Sequence, residues 1–129
     1  MSKQTLELMN ETFTIHNFDP SQPIPAAVYN APVYFIAKTY DELSIVCPDS
    51  ITLDSNETET GWAALEVLGP LGFSLTGILS NISGVLAAEK ISIFAISTFD
   101  TDYVLVKQEA IRKAVSSLRK NGYRVTNIE

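Results

Sequence analysis

The chain has 129 residues, of which 46% are hydrophobic and 19% are charged, a balance typical of folded globular proteins. Its apolar runs are far shorter than the roughly 20 residues that span a bilayer, and no signal peptide is expected at its N-terminus. A single cysteine, Cys47, excludes an internal disulfide and favours a cytoplasmic location. The net charge of −6 disfavours nucleic-acid binding, which needs a concentrated basic patch.

Charge is distributed unevenly along the chain. Residues 1–60 carry two lysines against nine acidic residues, whereas residues 61–129 carry seven basic residues against six acidic ones. Such a change of composition supports a chain made of two parts. We therefore predict a smaller module at residues 1–59 and a second domain at residues 60–129.

The first part is predicted to be rich in β-structure. Alternation of apolar and polar residues, or short apolar runs, predicts strands at residues 6–8, 13–15, 33–37 and 43–47. Asn10 and Glu11 are predicted to form the turn of a hairpin between the first two strands. Residues 49–60 are polar, acidic and without period, so they are predicted to be an irregular connection. No clear helix is predicted before residue 60.

The second part alternates strands and helices. Apolar periodicity predicts strands at residues 62–68, 91–97, 103–106 and 123–128 and amphipathic helices at residues 76–89 and 108–121. Ser74 or Thr76 can cap the first helix, and Gly122 can end the second. Gly84 in mid-helix suggests close packing against the sheet. The order β-α-β-β-α-β predicts an α+β fold of the ferredoxin-like type.

Catalytic chemistry is not expected. His16 is the only histidine and Cys47 the only thiol, which is too few for a metal site or a histidine-assisted nucleophile. No phosphate-binding loop motif is present in the sequence. We therefore interpret both residues as structural and predict a protein that is not an enzyme, with no cofactor and no metal.

Two loops of the second part are candidates for ligand binding. The glycine-rich stretch at residues 69–78 turns from a strand into a helix, where backbone N–H groups and the helix dipole favour a carboxylate. Asp100 or Asp102, in the reversal between two strands, could take an ammonium group, and Phe99 could flank a side chain. Both loops are expected near one edge of the sheet. Each feature alone is also common in ordinary turns.

The sequence resembles the ACT-domain proteins. The resemblance rests on Gly69-Pro70-Leu71-Gly72-Phe73, on Ile91-Ser92-Ile93 and on Ile96-Ser97-Thr98-Phe99 followed by Asp102-Tyr103-Val104. It is closer still to the short paired-ACT proteins of bacteria and to the CASTOR-type arginine sensors of animals. Thr39-Tyr40-Asp41-Glu42 resembles the matching segment of the partner module. The first part would then be a reduced ACT-like module that precedes a complete ACT domain.

In that family, free amino acids bind between two ACT modules, and the resemblance implies a regulatory or sensor protein that forms a homodimer. The implied ligand-binding residues are Ser44, Ile45, Gly72, Thr98, Phe99 and Asp102. Where the arginine sensors have an acidic residue in the glycine-rich loop, this chain has Leu75, which favours a neutral or smaller amino acid over arginine. The alternative is a protein-interaction module that has lost ligand binding.

Overall fold

The computed structural model describes residues 3–68 and 77–128. These residues form strands β1 (Thr5–Phe18), β2 (Phe35–Lys38), β3 (Leu43–Pro48), β4 (Glu57–Val67), β5 (Ile93–Ser97), β6 (Asp102–Lys107) and β7 (Arg124–Thr126), helices α1 (Ile78–Ala88) and α2 (Ile111–Lys120), and short 3₁₀ helices at Ala26–Asn30 and Gln108–Ala110. None of the described helices is long and apolar enough to cross a membrane.

Contacts within the chain divide it into two compact units. The larger unit comprises residues 1–10 and 63–129, and the smaller unit comprises residues 11–62. Strands β1 and β4 contribute residues to both. Assignment of a reduced ACT-like module to residues 1–59 remains a proposal.

The larger unit has the predicted ferredoxin-like arrangement of strands and helices. Its strands lie in the order β5-β6-β4-β1-β7, with β5 antiparallel to β6 and β7 parallel to the start of β1. Alternate residues of the strands and the apolar stripes of both helices share one core. Its buried members include Leu65, Val67, Ile82, Leu86, Val104, Val106, Ala114 and Leu118. The predicted fold class is therefore confirmed.

The predicted N-terminal hairpin is wrong. Residues 5–18 form one continuous strand, β1, with no turn at Asn10 and Glu11. Thr5, Leu6 and Glu7 pair with β7, whereas residues 13–18 pair with β3. Within this strand the Asn10 side-chain oxygen accepts a hydrogen bond of 2.9 Å from Asn127 Nδ2. The polar residues therefore mark a change of partner strand, not a reversal of the chain.

The smaller unit is built on β2, β3 and the second half of β1. Phe18, Leu43 and Ile45 form its core with Val28, which the 3₁₀ helix supplies. Proline at position 25 precedes that helix and cannot extend a strand ladder. The predicted connection at residues 49–60 is partly wrong, because residues 57–60 already belong to β4.

At two glycines of the α1 region the structure differs from the sequence-based prediction. The residue before the helix is Gly77, which has a positive φ of 75° and makes no side-chain cap; Ser74 and Thr76, the predicted caps, lie outside the described residues. Gly84 is exposed, and a Cβ added there would meet no atom within 4 Å. The prediction that Gly84 packs closely against the sheet is therefore wrong.

Gly84→Ala should stabilise the protein by about 0.5–1 kcal/mol, because alanine restricts the unfolded chain and finds open space in the helix. Gly61→Ala is the matched control. Gly61 also has open space but adopts a φ of +75°, so alanine should destabilise there by about 1–2 kcal/mol. Urea denaturation measures both changes in the free energy of unfolding. A loss of stability in Gly84→Ala would contradict the exposed, unpacked position.

Candidate functional site

The β5–β6 hairpin brings three of the predicted site residues together. Ser97 pairs with Asp102 across the two strands, and Thr98 begins the reversal. The Thr98 backbone N–H donates to the Thr101 carbonyl at 2.8 Å, and the Thr98 hydroxyl donates to the same carbonyl at 3.1 Å. Phe99 lies at the tip with 78% of its surface exposed. These bonds fix the backbone of the turn.

The carboxylate of Asp102 is held at the base of this hairpin. Its Oδ1 accepts a hydrogen bond of 2.5 Å from the Ser97 hydroxyl, and the residue is half-buried. Only one donor to this carboxylate comes from a described side chain, which leaves acceptor capacity for a ligand. The sequence analysis did not include Ser97 among the site residues. The four residues between Ser97 and Asp102 form the reversal, so these two residues lie opposite each other in the paired strands.

Thr101 ties the hairpin to the end of β4. Its side chain is buried, and its hydroxyl donates a hydrogen bond to the carbonyl of Val67. Strand β6 also lies beside β4 in the sheet. The reversal therefore contacts the strand that leads into the glycine-rich stretch of the sequence. Residues 69–76 themselves, including the predicted site residue Gly72 and also Leu75, lie outside the described residues.

The hairpin carries a negative potential. The pKa of Tyr103 is raised by burial first, and then by the negative charges of Glu66 and Asp100. Asp102 directly precedes Tyr103 in β6, so the two side chains point to opposite faces of the strand. The charges near Tyr103 are therefore those of Glu66 and Asp100.

Comparison with known proteins identifies the family to which this fold belongs. Residues 57–120, which include β4, α1, the hairpin and α2, match the sequence profile of the ACT domain. The crystal structure of protein Atu0741 from Agrobacterium tumefaciens has a TM-score of 0.89 and 31% identity, covering 98% of this chain and 94% of that one. The chain belongs to the ACT-domain family.

Further relatives of this ACT protein are larger. The human protein named cytosolic arginine sensor for mTORC1 subunit 1 is 38% identical over 74 residues, which cover 57% of this chain and 22% of the relative. Its mouse counterpart is 33% identical over 102 residues, which cover 78% and 30%. The chain thus spans less than a third of these sensors. An aspartate kinase from Clostridium acetobutylicum shares the fold, with a TM-score of 0.66 and 16% identity.

The other predicted site residues of the ACT protein lie in the smaller unit. Ser44 and Ile45 are neighbours in β3, where Ile45 pairs with His16 on one side and Ile36 on the other. The Ile45 side chain is fully buried, and its backbone lies in a strand that is paired on both sides. The Ser44 hydroxyl lies 3.5 Å from a carboxylate oxygen of Glu42. A role for these two residues in binding stays a prediction.

His16 and Cys47 are both buried in the smaller unit. His16 Nδ1 and the Ser55 hydroxyl oxygen lie 2.9 Å apart, a pairing that the sequence could not indicate. The His16 side chain is only 3% exposed and therefore offers no access to a substrate. Burial raises the pKa of the Cys47 thiol, and the charge of Asp49 raises it further, which makes the thiol a poor nucleophile. Among residues 3–68 and 77–128, no three potential ligands cluster for a metal ion.

His16 should make stability depend on pH. Burial lowers its pKa below 6.5, and the negative charge of Asp49 offsets part of that effect. The unfolded chain therefore binds more protons than the folded one just below pH 6.5. The free energy of unfolding should fall as pH falls through this range, by at most about 1.4 kcal/mol per pH unit.

Urea denaturation above and below pH 6.5 measures this dependence. His16→Gln keeps a side chain able to hydrogen-bond Ser55 but cannot titrate, and His16 is the only histidine of the chain. The fall in stability over this range should therefore disappear in the variant. An unchanged slope would contradict a depressed histidine pKa.

Proposed function

We propose that this chain is a non-enzymatic regulatory module that binds a free amino acid at the β5–β6 hairpin. The observation that carries the proposal is the Asp102 carboxylate, held at the base of a hairpin whose Thr101 hydroxyl donates a hydrogen bond to the end of β4. Membership of the ACT-domain family and similarity to proteins named as arginine sensors support a sensing role.

The roles of the residues follow from amino-acid chemistry. Asp102 takes the ammonium group, since a half-buried carboxylate with spare acceptor capacity suits a charged donor. Phe99, exposed at the tip, packs against the ligand side chain. Backbone N–H groups near Gly72 bind the ligand carboxylate, as the resemblance implies. Ser44 and Ile45 contribute backbone and hydroxyl contacts, so that the ligand lies between two ACT modules.

A neutral amino acid is the proposed ligand. Leu75 replaces the acidic residue that the resemblance gives to the arginine sensors, so the guanidinium of arginine would lack a partner. Ligand binding shifts the population towards the arrangement that binds it better, and the module regulates its target through that shift. We further propose that the protein acts as a homodimer in the cytosol, in keeping with its single cysteine.

A thermal-shift screen against the twenty amino acids tests the proposal. A ligand present at 100 times its dissociation constant adds about 2.7 kcal/mol, which raises the melting temperature by roughly 5–15 °C for a domain of this size. A rise with one neutral amino acid is expected. A rise with arginine alone would overturn the choice of ligand. No rise at millimolar concentrations would favour an interaction module that has lost ligand binding.

A further inference from the structure

Residues 50–56, here called the strap, connect the end of β3 with the start of β4. They belong to no helix or strand, yet their burial alternates. Ile51, Leu53 and Ser55 are partly buried, and the residues between them are exposed. Ile51 and Leu53 pack against the core of the smaller unit, which includes Ile45 and Cys47. The strap therefore covers the core face of β3.

His16 lies beneath the strap. It pairs with Ile45 across β1 and β3, and residues directly opposite each other in an antiparallel pair have their side chains on the same face. The strap contacts the histidine through Ser55, whose hydroxyl oxygen lies 2.9 Å from Nδ1. The backbone N–H of Asn56 also donates to the carbonyl of Asn17, at 2.9 Å. Few hydrogen bonds therefore hold the strap on β1.

The second ring nitrogen of His16 is buried away from any polar group of the protein. Its Nε2 has no hydrogen-bond partner among residues 3–68 and 77–128. A neutral imidazole has one N–H donor, whereas a protonated one has two donors and a positive charge. Protonation would therefore bury a charged N–H without an acceptor, which is costly. Movement of the strap would let water reach this nitrogen and remove the cost.

The ionisable groups around His16 do not supply the missing acceptor. The negative charge of Asp49 favours a charged imidazole, but its carboxylate already accepts hydrogen bonds from the hydroxyls of two threonines of β1. Asp54 on the strap and Glu57 at the start of β4 are exposed to solvent. Cys47, on the same face of β3, remains a neutral thiol because burial raises its pKa. A charged His16 is therefore stabilised by exposure to water.

We propose that the strap opens in mild acid, when His16 takes up a proton, and that its opening uncovers the face of the smaller unit that carries Cys47. The strap is the element that moves because it belongs to no sheet, whereas β1 and β3 pair continuously over residues 13–18. The smaller unit thus contains a conformational switch that responds to pH. This switch requires no ligand, so its failure would leave the proposed amino-acid binding untouched.

The reactivity of Cys47, the only thiol of the chain, tests the switch. The full chain reacts with 4,4′-dithiodipyridine, and its rate is divided by that of N-acetylcysteine at the same pH to remove the ordinary pH dependence of a thiol. From about pH 7.5 to about pH 5.5 this relative rate should rise by about 3- to 10-fold, because one proton changes an opening equilibrium by at most tenfold per pH unit. In His16→Gln the relative rate should not change with pH.

Two variants of the strap itself are matched. Ser55→Ala removes the hydroxyl that contacts His16 and should raise the relative rate at neutral pH by about 2- to 10-fold, whereas Thr52→Ala removes an exposed hydroxyl and should not. Equal rates in these two variants, a rate in wild type that does not change with pH, or the same rise in His16→Gln would overturn the switch. So would a rate that depends on urea as steeply as cooperative unfolding does, because local opening exposes little surface.

Discussion

Asp102→Asn should weaken amino-acid binding by about 10- to 100-fold. Asparagine keeps the size of aspartate and an oxygen that can accept the 2.5 Å hydrogen bond from Ser97, so the hairpin should retain its shape. What disappears is the negative charge, and hydrogen bonds to charged groups are worth about 1.5–3 kcal/mol. Isothermal titration with the amino acid found in the thermal-shift screen measures the loss.

Asp100→Asn is the matched control for this prediction. Asp100 belongs to the same reversal and carries the same charge, but it is exposed and lies within the turn, not in the paired strands. Its substitution should change the affinity only slightly, by less than about 5-fold, as for an exposed charge. If the two variants lose affinity equally, general negative potential at the hairpin would account for binding, and a specific role for Asp102 would be refuted.

Asp49→Ala should lower the free energy of unfolding by about 2–3 kcal/mol. The Asp49 carboxylate accepts hydrogen bonds from the hydroxyls of Thr12, at 2.6 Å, and Thr14, and from the backbone N–H of Gly61. It thereby connects β1 with β4 from the end of β3. Asp49 is exposed, but Thr14 is buried, and the Thr14 hydroxyl would lose its charged acceptor, which costs about 1–3 kcal/mol by itself.

The contribution of the same carboxylate to stability should be lost in acid. Burial opposes ionisation of Asp49, but its three hydrogen bonds and the nearby His16 together lower its pKa below 3.8. A carboxyl group with a lowered folded pKa stabilises the protein above 3.8, and this contribution is lost as pH falls through the folded value. Urea denaturation at neutral and acidic pH should therefore show the difference between wild type and Asp49→Ala shrinking in acid.

Asp54→Ala provides the comparison for Asp49. Asp54 is an exposed aspartate of the same unit, and its substitution should change the free energy of unfolding by less than about 0.5 kcal/mol. A similar small effect for Asp49→Ala would mean that water replaces all three hydrogen bonds without loss.

The candidate site was partly predictable from the sequence. Thr98, Phe99 and Asp102 were placed on one reversal because two apolar runs of β-forming residues flank a short polar segment, and the structure brings them together there. The hydrogen bonds that fix the site were not predictable in the same way. Thr101 bonds a carbonyl 34 positions earlier in the chain, and no local pattern encodes such a distant partner.

The amino-acid sequence by itself determined the order of strands and helices in the larger unit and the reversal that carries Asp102. Local periodicity suffices for this, because a repeat of two or of 3.6 residues reports which face of an element is buried. Only the tertiary structure decided that β1 runs unbroken past Asn10 and that its first residues lie between β4 and β7. Alternation of apolar and polar residues identifies a strand but not the strands beside it. Any strand can supply the backbone hydrogen bonds of a neighbour, and the register depends on contacts between residues that are far apart in the chain.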